Sequence, residues 1–352
     1  MEKNYRDVVG KYLEIGKEMA YLSLEDVSKS APTKIETINL MEETLQSHGK
    51  NDYVMPPKVS IRVSGTLEEA NSEPYDIHGG FAAKPAFIKK GSVSGVKWIS
   101  GFPDSRDKFG LPQTSGLTIL SDTLSGIPLA VMDATWLTAE RTAAVTMVGI
   151  KHLAKESDET FGMIGCGAVG TKHVEYAPYA MPNLKKIYIY DIYESAMDHL
   201  IKEVQPKTDI EIIKATSYEE LVKSSDVFTS AVSKAPDQQP EIKDHWITPG
   251  QTLFLCSLID LYEDVTLKRA DKYIVDSIED HEEYEKRGSY PKGIPSIHSE
   301  LGEVVAGMKP GRETEEEIII SCNVGMAIED MALSAAISKK ALINGLGQKL
   351  KL

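Results

Sequence analysis

The chain has 352 residues, 41% of them hydrophobic and 26% charged, with a net charge of −14. That length is enough for two domains with cores of their own, and the proportions are those of a soluble globular protein. The acid excess speaks against nucleic acid and anionic membrane as partners, because neither has a long-range reason to approach. Three widely spaced cysteines, Cys166, Cys256 and Cys322, exclude a disulfide framework and offer no paired metal-ligand spacing. The expectation is therefore a reducing cytoplasm and no metal. The first residues, MEKNYRDVVGKYLE, carry no apolar signal core, and no run approaches the ~18 apolar residues of a membrane span.

Up to about residue 50 the pattern is helical. Ile35 to Leu45 has apolar residues at helical spacing, and Thr33 is the start signal. From Val54 to about Leu120 it turns strand-like. VSIRV alternates, and FAAKPAFI, VSGVKWIS and SGLTIL follow between turn residues, which predicts an α+β block with antiparallel pairing. The acidic stretch from Thr66 to Ile77 is predicted as a surface loop. His78 and the pair Gly79-Gly80 are read as a turn. An alanine-rich helix is expected over Thr138 to Ala154. Short apolar runs then alternate with helices: FGMIG, KIYIYD, DVFTSAV, TLFLCSL and KYIVDS. Such a rhythm predicts a parallel sheet covered on both faces. The tail reads as a strand, EIIISC, and then a helix, GMAIEDMALSAAISKKALI.

After the FGMIG strand stands Gly165-Cys166-Gly167-Ala168-Val169-Gly170, opening a helix. This GxGxxG loop is in the context a dinucleotide requires. Gly165 permits the tight turn, Gly167 lets backbone approach a pyrophosphate, and Gly170 lets helix pack on strand. The helix N-terminus adds free N–H groups and partial positive charge. Asp191 ends the second strand, where a carboxylate can take both ribose hydroxyls. Ile192 and Tyr193 beyond it supply no cation for a 2′-phosphate, so NAD is favoured over NADP. Cys166, inside the loop, is expected to be buried rather than reactive.

At LTAERTAAV followed by MIGCGAVG, the chain resembles the ornithine cyclodeaminase/mu-crystallin family. The match extends through SGIPLAVMDATWLTAERTAA, WITPGQTLFLCSLID, ELGEVVAGMKPGRETEEEIII, VGMAIED and GLGQKLKL. The resemblance implies an α/β subunit of two domains. One, from residues 1–137 and 318–352, would be an α+β domain that binds substrate and forms a homodimer. The other, residues 138–317, would be a Rossmann-type, doubly wound domain for NAD. It also implies hydride transfer at an amino-acid α carbon bonded to nitrogen. The first expectation is ornithine cyclodeaminase-like chemistry, L-ornithine to L-proline plus ammonia. The alternatives are an amino-acid or opine-type dehydrogenase (alanine dehydrogenase-like, or cleaving N-(2-amino-2-carboxyethyl)-glutamate), a ketimine reductase, or a non-catalytic NAD-binding protein.

Site residues follow from the same matches. Lys58 in MPPK, Lys97 in SGVKW and Arg141 in AERTAA stand at family positions that hold the substrate carboxylate. Arg141 can grip it bidentately and the lysines act as point charges. Thr142 matches a position that touches the cofactor phosphates. With Ala168 and Val169 of the loop, Ile192, and Val232 at the end of DVFTSAV, it completes the expected cofactor set. Asp260 in CSLID ends an apolar strand at the ligand-binding edge of a parallel sheet, where a carboxylate can accept the amine proton. Two departures weaken ornithine as substrate. Ala82 and Ala83 stand where cyclodeaminases tend to carry an acid for the distal ammonium, with Lys84 nearby and its direction left open by strand alternation. Leu-Tyr-Glu-Asp follows Asp260 where ornithine-converting members have glycine and lysine.

Overall fold

The computed structural model describes residues 4–67, 75–103, 108–232, 239–256 and 259–352. The chain forms two compact units. The first comprises Met1–Pro32, Asp52–Thr138 and Ala327–Leu352, and the second Thr33–Asn51 and Ala139–Met326.

The first unit is built on β1 (Glu18–Leu22), β2 (Tyr53–Val54), β3 (Val59–Leu67), β4 (Tyr75–Ile88), β5 (Val93–Gly101), β6 (Thr114–Ser121) and β7 (Pro128–Asp133). Strands β3 to β7 pair antiparallel in sequence order, β2 joins the edge of β4, and β1 lies parallel to β7. Side chains of neighbouring strands therefore line up in rows across the sheet, and alternate residues face opposite sides. One face is covered by the C-terminal helix Ala327–Ile343, which packs on β4, β5 and β6. Gly95 marks that face, since a Cβ there would come within 2.9 Å of Met331 Sδ.

The second unit holds β8 (Thr160–Ile164), β9 (Lys186–Tyr190), β10 (Glu211–Lys214), β11 (Val227–Ser230), β12 (Thr252–Leu255), β13 (Lys272–Val275), β14 (Ile297–Glu300) and β15 (Ile319–Cys322). All pair in parallel, in the order β10-β9-β8-β11-β12-β15-β13-β14. Strands β11, β12, β13 and β15 are buried at every residue, as parallel strands covered on both faces must be. The order reverses between β8 and β11, which opens a crevice at the carboxyl ends of those two strands. The tail then returns to the first unit, where β16 (Gln348–Lys351) pairs antiparallel with β1.

Several expectations change. The N-terminal region is helical only in part, because EMAYL forms β1; its buried Ala20 and Leu22 alternate with exposed Tyr21, a period too short for the helical template to detect. The helix Lys34–Gly49 does start at Thr33, whose hydroxyl accepts from Glu36 N while the Glu36 carboxylate accepts from Thr33 N. That helix lies with the second unit, not with the domain expected over residues 1–137. Likewise EIIISC, expected in the first domain with residues 318–352, is β15 of the parallel sheet, paired with β12 and β13. The predicted loop from Thr66 to Ile77 is strand at both ends, Leu67 opposite Tyr75, and its centre lies outside the described residues. His78, Gly79 and Gly80 stand inside β4 rather than in a turn. The glycines are needed for close approach, since a Cβ on Gly79 would fall 2.4 Å from the Phe102 ring and one on Gly80 2.7 Å from Ile61 O. The long helix starts at Thr135, earlier than expected, because Asp133 Oδ1 accepts from Thr135 N and Trp136 N.

Candidate functional site

The glycine loop follows β8 at the point where the strand order reverses. Gly165 takes φ +93°, and a Cβ there would lie 2.7 Å from both Ala231 O and Val232 Cγ1. Val232 is thus the residue that closes on the turn. A Cβ on Gly170 would meet Gly165 O at 1.8 Å, so only glycine lets the helix Ala168–Tyr176 close on the strand. Gly167 is different. It has ordinary extended backbone, and nothing lies within 4 Å of where its Cβ would be. It is the N-cap residue of that helix and makes no side-chain cap bond. A bare concave backbone before a helix N-terminus is the cradle a pyrophosphate needs.

Asp191 follows β9 and serves the loop directly. Its Oδ2 accepts from Cys166 N at 2.7 Å and its Oδ1 from Tyr193 N at 2.9 Å. Ile192 and Tyr193 beside it are exposed, and no cation stands at either position. Cys166 is buried, and burial together with the Asp191 charge pushes its thiol up to about 12. His173, on the same helix, donates from Nδ1 to Val169 O at 2.8 Å. Its Nε2 lies 2.9 Å from Thr146 Oγ1, which ties the loop's helix to the long helix Thr135–Leu153. A second tie is ionic. Lys172 reaches Glu140 at 2.9 Å and Glu175 at 3.1 Å, and Lys34 and Lys207 also reach Glu175. Burial alone would raise the Glu175 carboxyl, but the Lys207 hydrogen bond and the charges of Lys172 and Lys34 bring it down to about 2.

Arg141 is buried on the long helix, and Thr142 beside it is half-buried. The loop after β15 presses on Arg141. Gly325 takes φ +87°, and a Cβ there would fall 2.2 Å from Arg141 Nη1. Gly325 is held by its own N–H, which donates to Asp276 Oδ2 at 2.5 Å. Asp276 Oδ1 lies 3.2 Å from His281 Nε2, and His281 Nδ1 lies 2.5 Å from the Tyr290 hydroxyl. Because a carboxylate only accepts, Nε2 carries a proton here. Asp260 is exposed, on the short helical turn Ile259–Leu261 after β12, at the same edge of the sheet as the glycine loop.

In the first unit Lys84 and Lys97 fall into one row. Lys84 is directly opposite Lys97 in the β4–β5 register, and Lys97 is opposite Thr118 on β6. Lys58 stands just before β3, whose first residue, Val59, is opposite Ala83. Lys84 and Lys97 share the face covered by the C-terminal helix. Lys97 is 0% exposed and Lys84 8% exposed, while Lys58 is half-buried. Strand neighbours stand about 5 Å apart. Two like charges at that spacing repel by about 3 kcal/mol at an effective dielectric near 20, so the row needs nearby acid. The C-terminal helix provides it. Lys97 Nζ donates to Asp330 Oδ1 at 2.6 Å and lies 3.4 Å from Thr138 Oγ1, and Glu329 beside Asp330 is fully buried too.

The profile of the ornithine cyclodeaminase/mu-crystallin family matches residues 17–344. The chain belongs to that family. It is 29% identical, over 96% of its length and 100% of the relative's, to the N-((2S)-2-amino-2-carboxyethyl)-L-glutamate dehydrogenase of Staphylococcus aureus. Its fold matches Thermococcus litoralis Δ1-pyrroline-2-carboxylate reductase in complex with NADH and L-proline, with a TM-score of 0.80 and 29% identity, covering 94% of this chain and 99% of the other. An archaeal alanine dehydrogenase dimer with bound NAD also gives 0.80, at 30% identity over 95% and 99%.

As a family member, the chain carries residues at its candidate site that reading the sequence missed. Asp330 and Asp276 each act on an expected residue, Asp330 on Lys97 and Asp276, through Gly325, on Arg141. The available signal was the Glu329-Asp330 pair within the otherwise apolar AIEDMALSAA, since two acids in a buried helix require cations close by. Asp276 gave no such signal. Nothing in KYIVDS indicates which backbone N–H its carboxylate takes.

Proposed function

We propose that this chain uses NAD to move a hydride at the α carbon of an amino acid, as a cyclodeaminase or dehydrogenase of its family. The open cradle at Gly167 carries this reading, supported by the Asp191 carboxylate beside the loop and by Ile192 and Tyr193, neither of them cationic, in the positions that follow it. Bound there, NAD supplies the hydride acceptor. The second unit is then the Rossmann-type cofactor domain, with Thr142, Ala168, Val169, Ile192 and Val232 around the dinucleotide. The first unit is the substrate and dimer domain. Lys58, Lys97 and Arg141 take the substrate carboxylate, with Arg141 held in place by Gly325 and Lys97 by Asp330. Asp260 accepts the ammonium proton, so the α nitrogen has a lone pair to stabilise the carbon as its hydride departs. In a cyclodeaminase the distal amine then closes on that carbon, ammonia leaves, and return of the hydride to the carbon gives proline with no net reduction of the cofactor. In a dehydrogenase water adds there, ammonia and a keto acid leave, and the hydride stays on the cofactor.

The buried Lys84 on the Lys97 face favours the dehydrogenase outcome, because it disfavours a second ammonium. The opposite face of the first sheet supports a homodimer, here placed in the cytoplasm. Val59, Trp98 and Leu117 fall in one row, 64%, 43% and 44% exposed, and Phe81 stacks on Trp98 at 5.3 Å. A contiguous aromatic and aliphatic patch of this kind fits a second copy across a two-fold axis. Among the described residues, no helix is long and apolar enough to cross a membrane.

The test is incubation with NAD and a panel of amino acids, following NADH absorbance and ammonia. Net NADH identifies a dehydrogenase, and proline with ammonia and no net NADH identifies a cyclodeaminase. Tight NAD binding without turnover of any amino acid overturns both. Asp260→Asn is expected to cut turnover by about 100-fold or more while leaving NAD affinity unchanged.

A further inference from the structure

The carboxyl edge of the parallel sheet holds one more cluster of reactive side chains. Cys256 directly follows β12, and its N–H donates to Ser230 O at the end of β11, so it stands beside the crevice that opens between β8 and β11. Its thiol lies 3.5 Å from His173 Nε2, 3.4 Å from Thr146 Oγ1 and 3.7 Å from Thr229 Oγ1. His173 is fully buried on the glycine-loop helix, and its Nδ1 donates to Val169 O, which can only accept. In the neutral ring Nε2 is therefore a bare acceptor, turned towards the thiol and the Thr146 hydroxyl. A nucleophile within reach of a base that a third group orients is the arrangement that activates a thiol. The other two cysteines differ. Cys166 and Cys322 are buried, and burial, with the charges of Asp191 and Asp276, pushes both thiols up to about 12. Cys256 is half-buried, and although burial works to raise its thiol, the charge and hydrogen bond of His173 bring it below the ordinary value. The neighbouring strand end shows independently that this edge receives a group. Asn323 follows β15, its N–H donates to Leu255 O, and its side-chain Nδ2 is buried with no partner among the described residues. A buried amide nitrogen left open at the ligand-binding edge of a parallel sheet calls for an acceptor from outside the chain.

We propose that Cys256 and His173 form a peroxide-sensitive thiol site at the cofactor crevice, open when NAD is absent and covered when it is bound, whose oxidation lowers NAD affinity. This goes beyond the reading under Proposed function and needs only the cofactor, not the amino-acid chemistry. His173 Nε2 takes the thiol proton, and the sulfur attacks one oxygen of hydrogen peroxide. An S–O bond forms and the O–O bond breaks. Sulfur is oxidised by two electrons to a sulfenic acid, the peroxide is reduced to water, and the proton on Nε2 goes to the departing hydroxide. The new oxygen sits on a sulfur already 3.4–3.7 Å from three side chains. It must therefore push on the contact between His173 Nε2 and Thr146 Oγ1, the tie between the glycine-loop helix and the long helix. The loop moves with its helix, and the cradle for the pyrophosphate is disturbed.

The experiment exposes NAD-free protein to hydrogen peroxide near neutral pH, traps sulfenic acid with dimedone and locates it by peptide mass spectrometry. Labelling is expected at Cys256 and not at Cys166 or Cys322, about tenfold or more faster than for glutathione under the same conditions. Saturating NAD should slow it by about tenfold or more. Fluorescence titration with NADH should show affinity lowered by about tenfold after oxidation and restored by dithiothreitol. Cys256→Ser should bind NADH equally well before and after peroxide. His173→Gln should lose about tenfold in labelling rate at neutral pH and regain it near pH ~9.5, where a thiol ionises without a base. A histidine that served only the packing would not be replaced by alkali. Labelling of Cys256 no faster than glutathione, or equal labelling of all three cysteines, overturns the proposal. So does a rate that NAD leaves unchanged, an oxidised protein that binds NADH as tightly as the reduced one, or a His173→Gln variant that reacts like wild type at neutral pH. If His173→Gln does not fold, wild type decides. Its labelling should rise less than that of glutathione between neutral pH and pH ~9.5, and an equal rise overturns the pairing of Cys256 with His173.

Discussion

The two units build their functional surfaces in opposite ways. In the second unit the surface is made by side chains that are missing: Gly165 and Gly170 allow contacts that any Cβ would block, and Gly167 leaves an open cradle. In the first unit it is made by side chains crowded together, with two buried lysines in one row and two buried acids on a helix across from them. A backbone-made site is fixed by a few consecutive residues. A side-chain-made site is assembled from strands and a helix far apart in sequence, so its members depend on one another, and damage should spread differently in the two.

The largest expected effect is in the crowded unit. Asp330→Asn leaves the Lys97 ammonium fully buried beside a neutral amide, at a cost of about 3–5 kcal/mol in unfolding free energy. Replacing both residues, Lys97→Met with Asp330→Leu, should recover much of that stability and none of the activity. Urea unfolding of the single and double variants measures the difference. If Asp330→Asn costs less than about 1 kcal/mol, the row is not held by this pair, and the contrast between the units weakens.

The glycine loop should split into two behaviours. Gly165→Ala forces an L residue to φ +93° against Ala231 O and should cost about 1–3 kcal/mol while also losing NAD. Gly167→Val has no contact to violate, so its stability should stay within about 0.5 kcal/mol of wild type. Its NAD affinity should nevertheless fall by about tenfold or more, because the side chain fills the approach to the backbone. Thermal unfolding and NADH fluorescence titration separate the two. Equal loss of stability in both variants would mean that the loop is only a structural turn.

How legible each unit was follows from the same contrast. The parallel sheet could be read from its apolar runs, and the loop from six consecutive residues with a strand before and a helix after. Lys97 stood out as a charge inside an apolar strand. Its partner did not, because nothing local ties position 97 to position 330. The direction of Lys84 was undecided until the register set it opposite Lys97. The misplacement of EIIISC has a similar cause. A fully buried strand has no alternation to show which sheet it joins, and only its pairing with β12 and β13 decides. The strand β1 was missed because five residues flanked by helical patterns give too short a period to detect.

A smaller effect concerns how Arg141 is held. Asp276→Asn retains the shape of the group that accepts Gly325 N–H and weakens its charge-assisted bond, so about 1–3 kcal/mol of local order is at stake. The loop on Arg141 should then loosen, raising KM for the amino acid several-fold while NAD affinity holds. Steady-state kinetics with each substrate varied in turn tests this. Equal rises in both Michaelis constants would show that the Asp276–His281–Tyr290 chain supports the whole second unit rather than the arginine.

The smallest effect appears only in acid. Glu175 is surrounded by Lys34, Lys172 and Lys207, and its carboxyl sits at about 2 against an ordinary value of 4.5. A carboxyl depressed in the folded state adds stability that is fully present above the unfolded value and lost as pH falls through the folded one. Glu175→Gln should therefore be less stable than wild type at neutral pH. The difference should shrink as pH drops below about 4.5 and vanish near about 2. Because Lys172 also holds Glu140 on the long helix, the loss should appear as weaker attachment of the glycine-loop helix, with NAD affinity declining over the same pH window. A Glu175→Gln difference that does not change between neutral pH and the acid limit would show that the cluster stabilises through packing alone. The cofactor unit would then depend on crowded side chains as little as its bare loop suggests.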